Sequence, residues 1–399
     1  MSSAMPWRSD VGVWVGLAVT AIAAIVYWLC ARDFDAGRGD LFYLADAFLH
    51  GRTWLDFQPG PNDVIIVDGR FYVPFAPFPA IALMPVVALL GPVGADEVES
   101  GINALLAAGG VGLSWMLLGR IGVARLRDRL ALVVLFGFST QILWVTTRGG
   151  VWHTGHLVAT ILTFACLIEL WGRRRAWLIG LLAGAAFLTR APLAFAVPLY
   201  ALLLWEGPRL AISGIPWRRW AWLTAGVLPS IILFFAYNQL RFGTPLESGY
   251  ALATLPSFLE DQRAKGLFSL AHVPMNLDYF LVHLPFVVRE FPYLRPDGLG
   301  LSVFLTSPGL LYAIRADWRD ARSWLLLGGA ALVLAPTLLY YGGGWLQYGY
   351  RYFLDSVPFV IALCGLAAVR EGGIGRGWLV LIAIGTVVMG FGVYWAYII

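Results

Sequence analysis

The chain has 399 residues, 59% hydrophobic and only 13% charged, where a soluble domain carries about a quarter charged residues. Apolar runs of about twenty residues recur without period-two alternation, which excludes a soluble globular enzyme and a membrane barrel and leaves a polytopic helical membrane protein. The formal charge of +4 comes from arginines gathered in short loops, with Lys265 the sole lysine, so it signals topology and not a nucleic-acid partner.

In chain order, the first apolar run, 11–30, is long enough to span and reads as a retained anchor. Segment 31–76 follows as a large polar and aromatic loop. Within it, residues 40–50 form an amphipathic, interfacial helix. Leu41, Phe42, Leu44, Ala45, Phe48 and Leu49 fall on one side, and Asp40, Tyr43, Asp46 and His50 on the other. Asp46 and His50 are one turn apart and can pair. Asp40 opens this helix, either as its cap or as a general base at the bilayer surface. The remaining loop aspartates, Asp33, Asp35, Asp56, Asp63 and Asp68, read as solvated or turn residues, with Asp68-Gly69 turning a tight hairpin between 64–67 and 71–73.

Segment 77–92 is apolar but carries Pro77, Pro79, Pro85 and Pro92, and is expected to lie in or dip into the interface. Spanning runs follow at 101–119, 130–147 and 152–171. Segment 176–205 is broken by Thr189, Arg190 and Pro192 and is read as two short helices meeting in a tight hairpin. A span at 220–240 leads into a second large loop, 241–298, and further spans are expected at 299–314, 323–341, 355–369 and 377–397. Residues 1–399 thus form a single membrane domain. Cys30, Cys166 and Cys364 all lie in apolar runs and imply neither a disulfide framework nor a metal site.

Five arginine-bearing loops set the orientation: Arg120 to Arg129, Arg173 to Arg175, Arg209 to Arg219, Arg315 to Arg322, and Arg370 to Arg376. Placing them all in the cytoplasm gives about eleven crossings, with the N-terminus inside and both large loops outside; twelve crossings with one basic loop outside is the alternative.

The order Asp40, Tyr43, Ala47, Gly51, then Phe71-Tyr72-Val73-Pro74-Phe75-Ala76-Pro77-Phe78-Pro79, resembles the first outer loop of the GT-C superfamily of membrane glycosyltransferases. Leu188-Thr189-Arg190-Ala191-Pro192 and Asn238-x-x-Arg241-Phe242-Gly243-Thr244-Pro245 likewise resemble bacterial family 39 members, the relatives of protein O-mannosyltransferases and aminoarabinose transferases. The resemblance implies an all-α, GT-C-like bundle in a bacterial inner membrane. It implies an extracytoplasmic active site, with Asp40 as the catalytic carboxylate. It also implies a polyprenyl-phosphate sugar donor and a lipid, polysaccharide or protein acceptor, with inversion at the anomeric carbon. The chain departs from the family where Leu41 replaces a second acidic residue and where Phe75-Ala76-Pro77 replaces Lys-Pro-Pro, so no lysine is there to hold a phosphate.

Four arginines, Arg148, Arg190, Arg241 and Arg351, reach the outer side near helix ends, where guanidinium either snorkels or meets an anion. Arg190 and Arg351 are the first choices for the donor phosphate, followed by Arg148. Arg190 interrupts an apolar hairpin, and Arg351 sits in the glycine- and aromatic-rich turn 342–352 beside Tyr350. His153 and His156 share a helix face without a third metal ligand, so they read as substrate contacts or satisfied polar groups. Glu247 is the carboxylate of interest in the second loop, and with Tyr43, Asp46, His50 and Tyr350 it is a further candidate substrate contact. No cofactor or metal is expected. Two other classes fit the same composition: a transporter or flippase for a lipid-linked or polar substrate, and a non-catalytic assembly subunit with the transferase fold.

Overall fold

The computed structural model describes residues 10–31, 40–58, 63–205 and 214–397. Asp33, Asp35 and Arg209 lie outside the described residues. The protein is an all-α polytopic bundle. Among the described residues seven helices are long and apolar enough to cross a membrane, or eight if one bent pair counts as a single span.

Helix α1 (Asp10–Ala31) packs along α4 (Glu99–Ile121), with the Trp115 indole donating to the Gly12 carbonyl at 3.1 Å. Helices α5 (Leu126–Phe138) and α6 (Ile142–Arg148) form the bent pair, kinked by 44° at Ser139–Gln141. The central element is α7 (Val151–Leu170), buried nearly all round by α4, α6 and α8 (Ala176–Phe187). After Arg190 a 3-10 turn (Ala191–Ala196) leads into α9 (Val197–Leu203). Helix α10 (Trp217–Phe242) crosses α8 at backbone contact: a Cβ on Gly180 would lie 2.1 Å from the Leu223 carbonyl, and one on Gly226 the same distance from that of Trp177. Only glycine allows so close an approach, the usual device for joining helices in lipid.

The two large loops carry short elements. The first holds α2 (Asp40–Leu49) and the hairpin β1 (Ile65–Val67) with β2 (Arg70–Tyr72), paired Ile65 to Tyr72. Asp68 and Gly69 turn it with φ of 50° and 72°, as the Asp-Gly pair requires. The second holds α11 (Ser257–Arg263), α12 (Val273–Leu277) and a two-residue ribbon, β3 (Phe286–Val287) with β4 (Leu294–Arg295). The expected span at 299–314 is instead a single turn, α13 (Val303–Thr306), followed by a 3-10 helix over Pro308–Arg315. Helices α14 (Ala321–Leu339), α15 (Val357–Glu371) and α16 (Arg376–Ala396) complete the bundle.

The arginine-rich loops gather at one end. Arg120 donates to Ile168 O, Arg174 to Leu203 O and Arg219 to Leu204 O; Arg127 donates to Ile374 O, and Arg370 to the carbonyls of Arg315 and Ala316. Both large loops lie at the other end. The hairpin of α8 and α9 runs from Arg174 up to Arg190 and back to Leu203, as its sequence suggests.

Helix α3 (Phe78–Glu97) is long and apolar enough to cross, but its geometry differs from that of the spans. Phe78 N donates to Leu188 O at the tip of the hairpin, and two residues after Glu97 the chain enters α4, whose Glu99 takes the Gly150 N–H. Both ends of α3 therefore sit at the loop-bearing end. It kinks at Gly91, where φ is 71°, and packs on α2.

Candidate functional site

A two-lobed cavity opens at the loop-bearing end. The wide lobe, about 340 Å³, is walled by the first loop (Asp63, Phe75), the start of α7 (Trp152, His153), the second loop and the 342–352 turn. The narrow lobe, about 180 Å³, runs from the Arg190 hairpin and His156 toward α14 at Pro336 and Thr337, and has Leu41 and Pro79 on its flank. Phe75, Trp152, Tyr250, Tyr340, Arg351 and Tyr352 belong to both. A concave, mainly aromatic space with a few convergent charges is the usual form of a small-molecule site.

Three of the arginines singled out in the sequence converge here. Arg148 ends α6 and lines the wide lobe, Arg190 lines the narrow lobe and Arg351 lines both. Arg190 is held extended where α8 stops, with φ −147° and ψ 114°, because Pro192 cannot continue the helix. Its Nε donates to Asp355 Oδ2 at 2.5 Å, and the other oxygen of Asp355 takes the Nδ1 proton of His156 at 2.8 Å. Asp355 and His156 are fully buried. The Tyr352 ring is near two guanidiniums, Arg190 at 5.5 Å and Arg351 at 5.4 Å from its centroid, both within cation–π range. Gln347 anchors the turn that presents Arg351: its Oε1 accepts from Arg351 N at 3.0 Å, and its amide donates to Gly343 O and Leu299 O. The Arg351 Nη1 donates to Trp345 O at 3.1 Å, and its Nε is buried without a partner.

His153 lines the wide lobe and His156 the narrow lobe. Each Nδ1 faces an acceptor, Gly149 O and Asp355 respectively, and each Nε2 is buried with no hydrogen-bond partner among the described residues. Burial pushes the phenols of Tyr250 and Tyr341 up, the latter to about 12, so both face the cavity as neutral hydroxyls.

Other residues singled out in the sequence sit elsewhere. Asp40 is 1% exposed, on the covered side of α2 and not on the polar face that the helical wheel assigns it. Its carboxylate lies within the field of Glu99, and it lines neither lobe, although its neighbour Leu41 does. Asp46 pairs with His50 at 3.5 Å, as the spacing suggests, and with Arg52, outside the cavity. Tyr43 packs edge-on against Phe57. Glu247 accepts from Gly249 N at 2.6 Å and holds its own turn. Tyr350 is fully buried and donates to Thr337 O, so the ring presented to the cavity is that of Tyr352. Arg241 is spent on Val73 O and Asn238, tying the two loops together.

Two carboxylates were passed over in the sequence. Asp355 stands one helical turn after Arg351, a spacing that itself suggests a partner for the arginines. Asp63 is the one carboxylate among the described residues that line either lobe. Its Oδ2 accepts from the Trp152 indole at 3.1 Å. Among the described residues no group of three or more His, Cys, Asp and Glu side chains is placed to hold a metal ion.

No family model matches the chain, and no curated protein does. Two solved structures resemble it. One is the archaeal oligosaccharyltransferase AglB from Archaeoglobus fulgidus in complex with an inhibitory peptide and a dolichol-phosphate, with TM-score 0.49 and 12% identity over 98% of this chain. The other is the apo form of the Archaeoglobus fulgidus oligosaccharyltransferase, with TM-score 0.48 and 14% identity over 97% of this chain. The chain spans 56% of the length of each. With scores below 0.5, neither likeness assigns chemistry to it.

Proposed function

We propose that the protein is a membrane glycosyltransferase that moves a sugar from a polyprenyl-phosphate donor to an acceptor hydroxyl at the loop-bearing end of the bundle. The observation that carries this reading is the convergence of Arg190, Arg351 and Arg148 on one aromatic cavity. Guanidiniums lining a membrane-protein cavity suit an anionic ligand, and phosphate oxygens match their planar fork. The apolar flank of the narrow lobe, running out to Phe268 at 62% exposed, suits a hydrocarbon chain leaving sideways. The positive-inside rule puts the arginine-rich loops in the cytoplasm and the cavity on the opposite face.

In the reaction, an acceptor oxygen attacks the anomeric carbon from the side opposite the phosphate. The bond from that carbon to the phosphate oxygen breaks, and the configuration inverts. Arg190 and Arg351 stabilise the charge that grows on the departing lipid phosphate. The attacking hydroxyl needs a proton acceptor. The resemblance nominates Asp40 for that role; Asp63, from the same loop, is the carboxylate at the cavity wall.

The test is binding of farnesyl phosphate to the full-length protein in lipid nanodiscs. Saturable binding, with farnesol and inorganic phosphate each much weaker, is expected; affinity no better for farnesyl phosphate than for farnesol contradicts the reading. Transfer from polyprenyl-phosphate hexoses then separates a transferase from a carrier.

A further inference from the structure

The two lobes divide the labour of the proposed reaction, and we infer that the wide lobe is the acceptor site, with Asp63 the base that takes the acceptor's hydroxyl proton. This rests on the transferase reading above and adds to it the second substrate's place and a catalytic residue.

The lobes differ in chemistry. The narrow one has Arg190 and apolar walls, and no carboxylate among its described lining. The wide one alone has the rings of Trp345 and Tyr341 and a carboxylate, Asp63, while Trp152 and the neutral Tyr250 hydroxyl are common to both. It also opens outward, with Trp345 48% exposed, so a water-borne acceptor can enter without crossing the lipid path. Arg351, common to both, marks where the donor's phosphate and the acceptor must meet. Aromatic rings beside one carboxylate suit a hydroxyl-bearing sugar ring: apolar faces for its C–H surface and an acceptor for its O–H.

Asp63 is built into place. Its φ is 55°, in the left-handed region that few non-glycine residues occupy and that tends to be retained at functional sites. The second loop clamps it there. Asp63 N donates to Thr254 O at 2.8 Å and Thr254 N returns a bond to Val64 O at 2.8 Å, with Ile65 bridging to Ala253. Two loops nearly two hundred residues apart thus fix one carboxylate over the wide lobe. The indole N–H of Trp152 donates to Oδ2 at 3.1 Å and orients the carboxylate. In the step, the acceptor O–H bond breaks toward Asp63, the new C–O bond forms, and the lipid phosphate leaves toward Arg190 and Arg351. The proton later departs to water through the open mouth.

Asp63→Asn is the informative variant, because asparagine tolerates a left-handed φ and removes only the charge. The full-length protein in nanodiscs is given farnesyl phosphates carrying glucose, mannose or galactose, with water as the surrogate acceptor, and release of free sugar is followed. Wild type is expected to release sugar from at least one donor. Asp63→Asn is expected to lose about 100-fold or more in turnover. It should also lose the acid limb of the pH–rate profile, while binding farnesyl phosphate within about threefold of wild type, which doubles as proof of folding. Release by Asp63→Asn at the wild-type rate, or loss of turnover in Asp40→Asn while Asp63→Asn keeps it, overturns the assignment. Weakened farnesyl phosphate binding in Asp63→Asn overturns the division of lobes. If wild type binds no farnesyl phosphate, or binds it and releases no sugar from any donor, the transferase reading fails first and takes the base with it.

Discussion

The two ends of the bundle use the same residue in opposite ways. At the basic end, Arg120, Arg127, Arg174, Arg219 and Arg370 donate to the carbonyls that finish helices and loops, where a cation meets the negative end of the helix dipole. Their charge is consumed in stitching loops together. At the cavity end, Arg148, Arg190 and Arg351 line a void, with Asp355 bonded to Arg190 and Asp63 on the same lining. The two sets of arginines differ in the groups they face: backbone carbonyls at one end, a cavity lined with aromatic rings at the other.

The largest effect expected from breaking that contrast is on stability. Asp355→Ala removes the fully buried, shared partner of Arg190 and His156, and leaving the partly buried guanidinium unpaired costs at most about 3–5 kcal/mol. A thermal unfolding midpoint in nanodiscs well below wild type is expected; an unchanged midpoint means the pair is not structural. Next is Arg351→Gln, which leaves the fold intact and weakens farnesyl phosphate about tenfold or more in a direct titration. Arg351→Lys restores the charge but not the fork and should recover only part of the affinity.

The basic end supplies the counter-case. Arg315 pairs with Glu371 with its side chain 55% exposed. Arg315→Gln is expected to cost less than about 1 kcal/mol and to leave farnesyl phosphate binding alone. A binding defect there erases the distinction between the ends.

The smallest effect concerns pH. His283, on the second large loop, sits between Asp278 at 2.8 Å and Asp297 at 2.6 Å. Partial burial opposes its protonation, but the two carboxylates prevail and raise its pKa above the ordinary value of 6.5. The raised value belongs to the folded chain. The stabilisation is therefore complete below about pH 6.5 and is lost as pH rises through the folded value. Amide exchange in 278–297 should quicken over that rise in wild type and not in His283→Gln.

Much of the layout was legible from periodicity and punctuation. The run from Asp40 reads as a helix because its apolar residues recur at helical spacing, and α2 spans Asp40–Leu49. Asp68-Gly69 specifies its turn locally. Arg190 and Pro192 break an apolar run, and the hairpin follows. The break itself pointed to Arg190, the glycine- and aromatic-rich turn to Arg351, and position near a helix end to Arg148, and the fold brings all three to one cavity. The misses share a cause. A helical wheel sorts residues by angle and assumes one covered side, but α2 is covered by α3 and by the region of Glu99, so Asp40 is enclosed along with the apolar residues. Asp63 looked like one solvated aspartate among several because its clamp, Thr254, lies in another loop. Tyr350 and Tyr352 exchange roles because the chain enters a 3-10 turn at Arg351, and no local pattern sets that phase.

The most direct test of an anionic lipid site at the loop-bearing end is photolabelling with a diazirine-bearing farnesyl phosphate, read by peptide mass spectrometry. Labels are expected on the segments carrying Phe75, Trp152, Arg190 and Tyr352, and unlabelled farnesyl phosphate should suppress them. Labelling confined to the arginine-rich loops at the other end, or labelling of the cavity that farnesol suppresses equally well, contradicts the account.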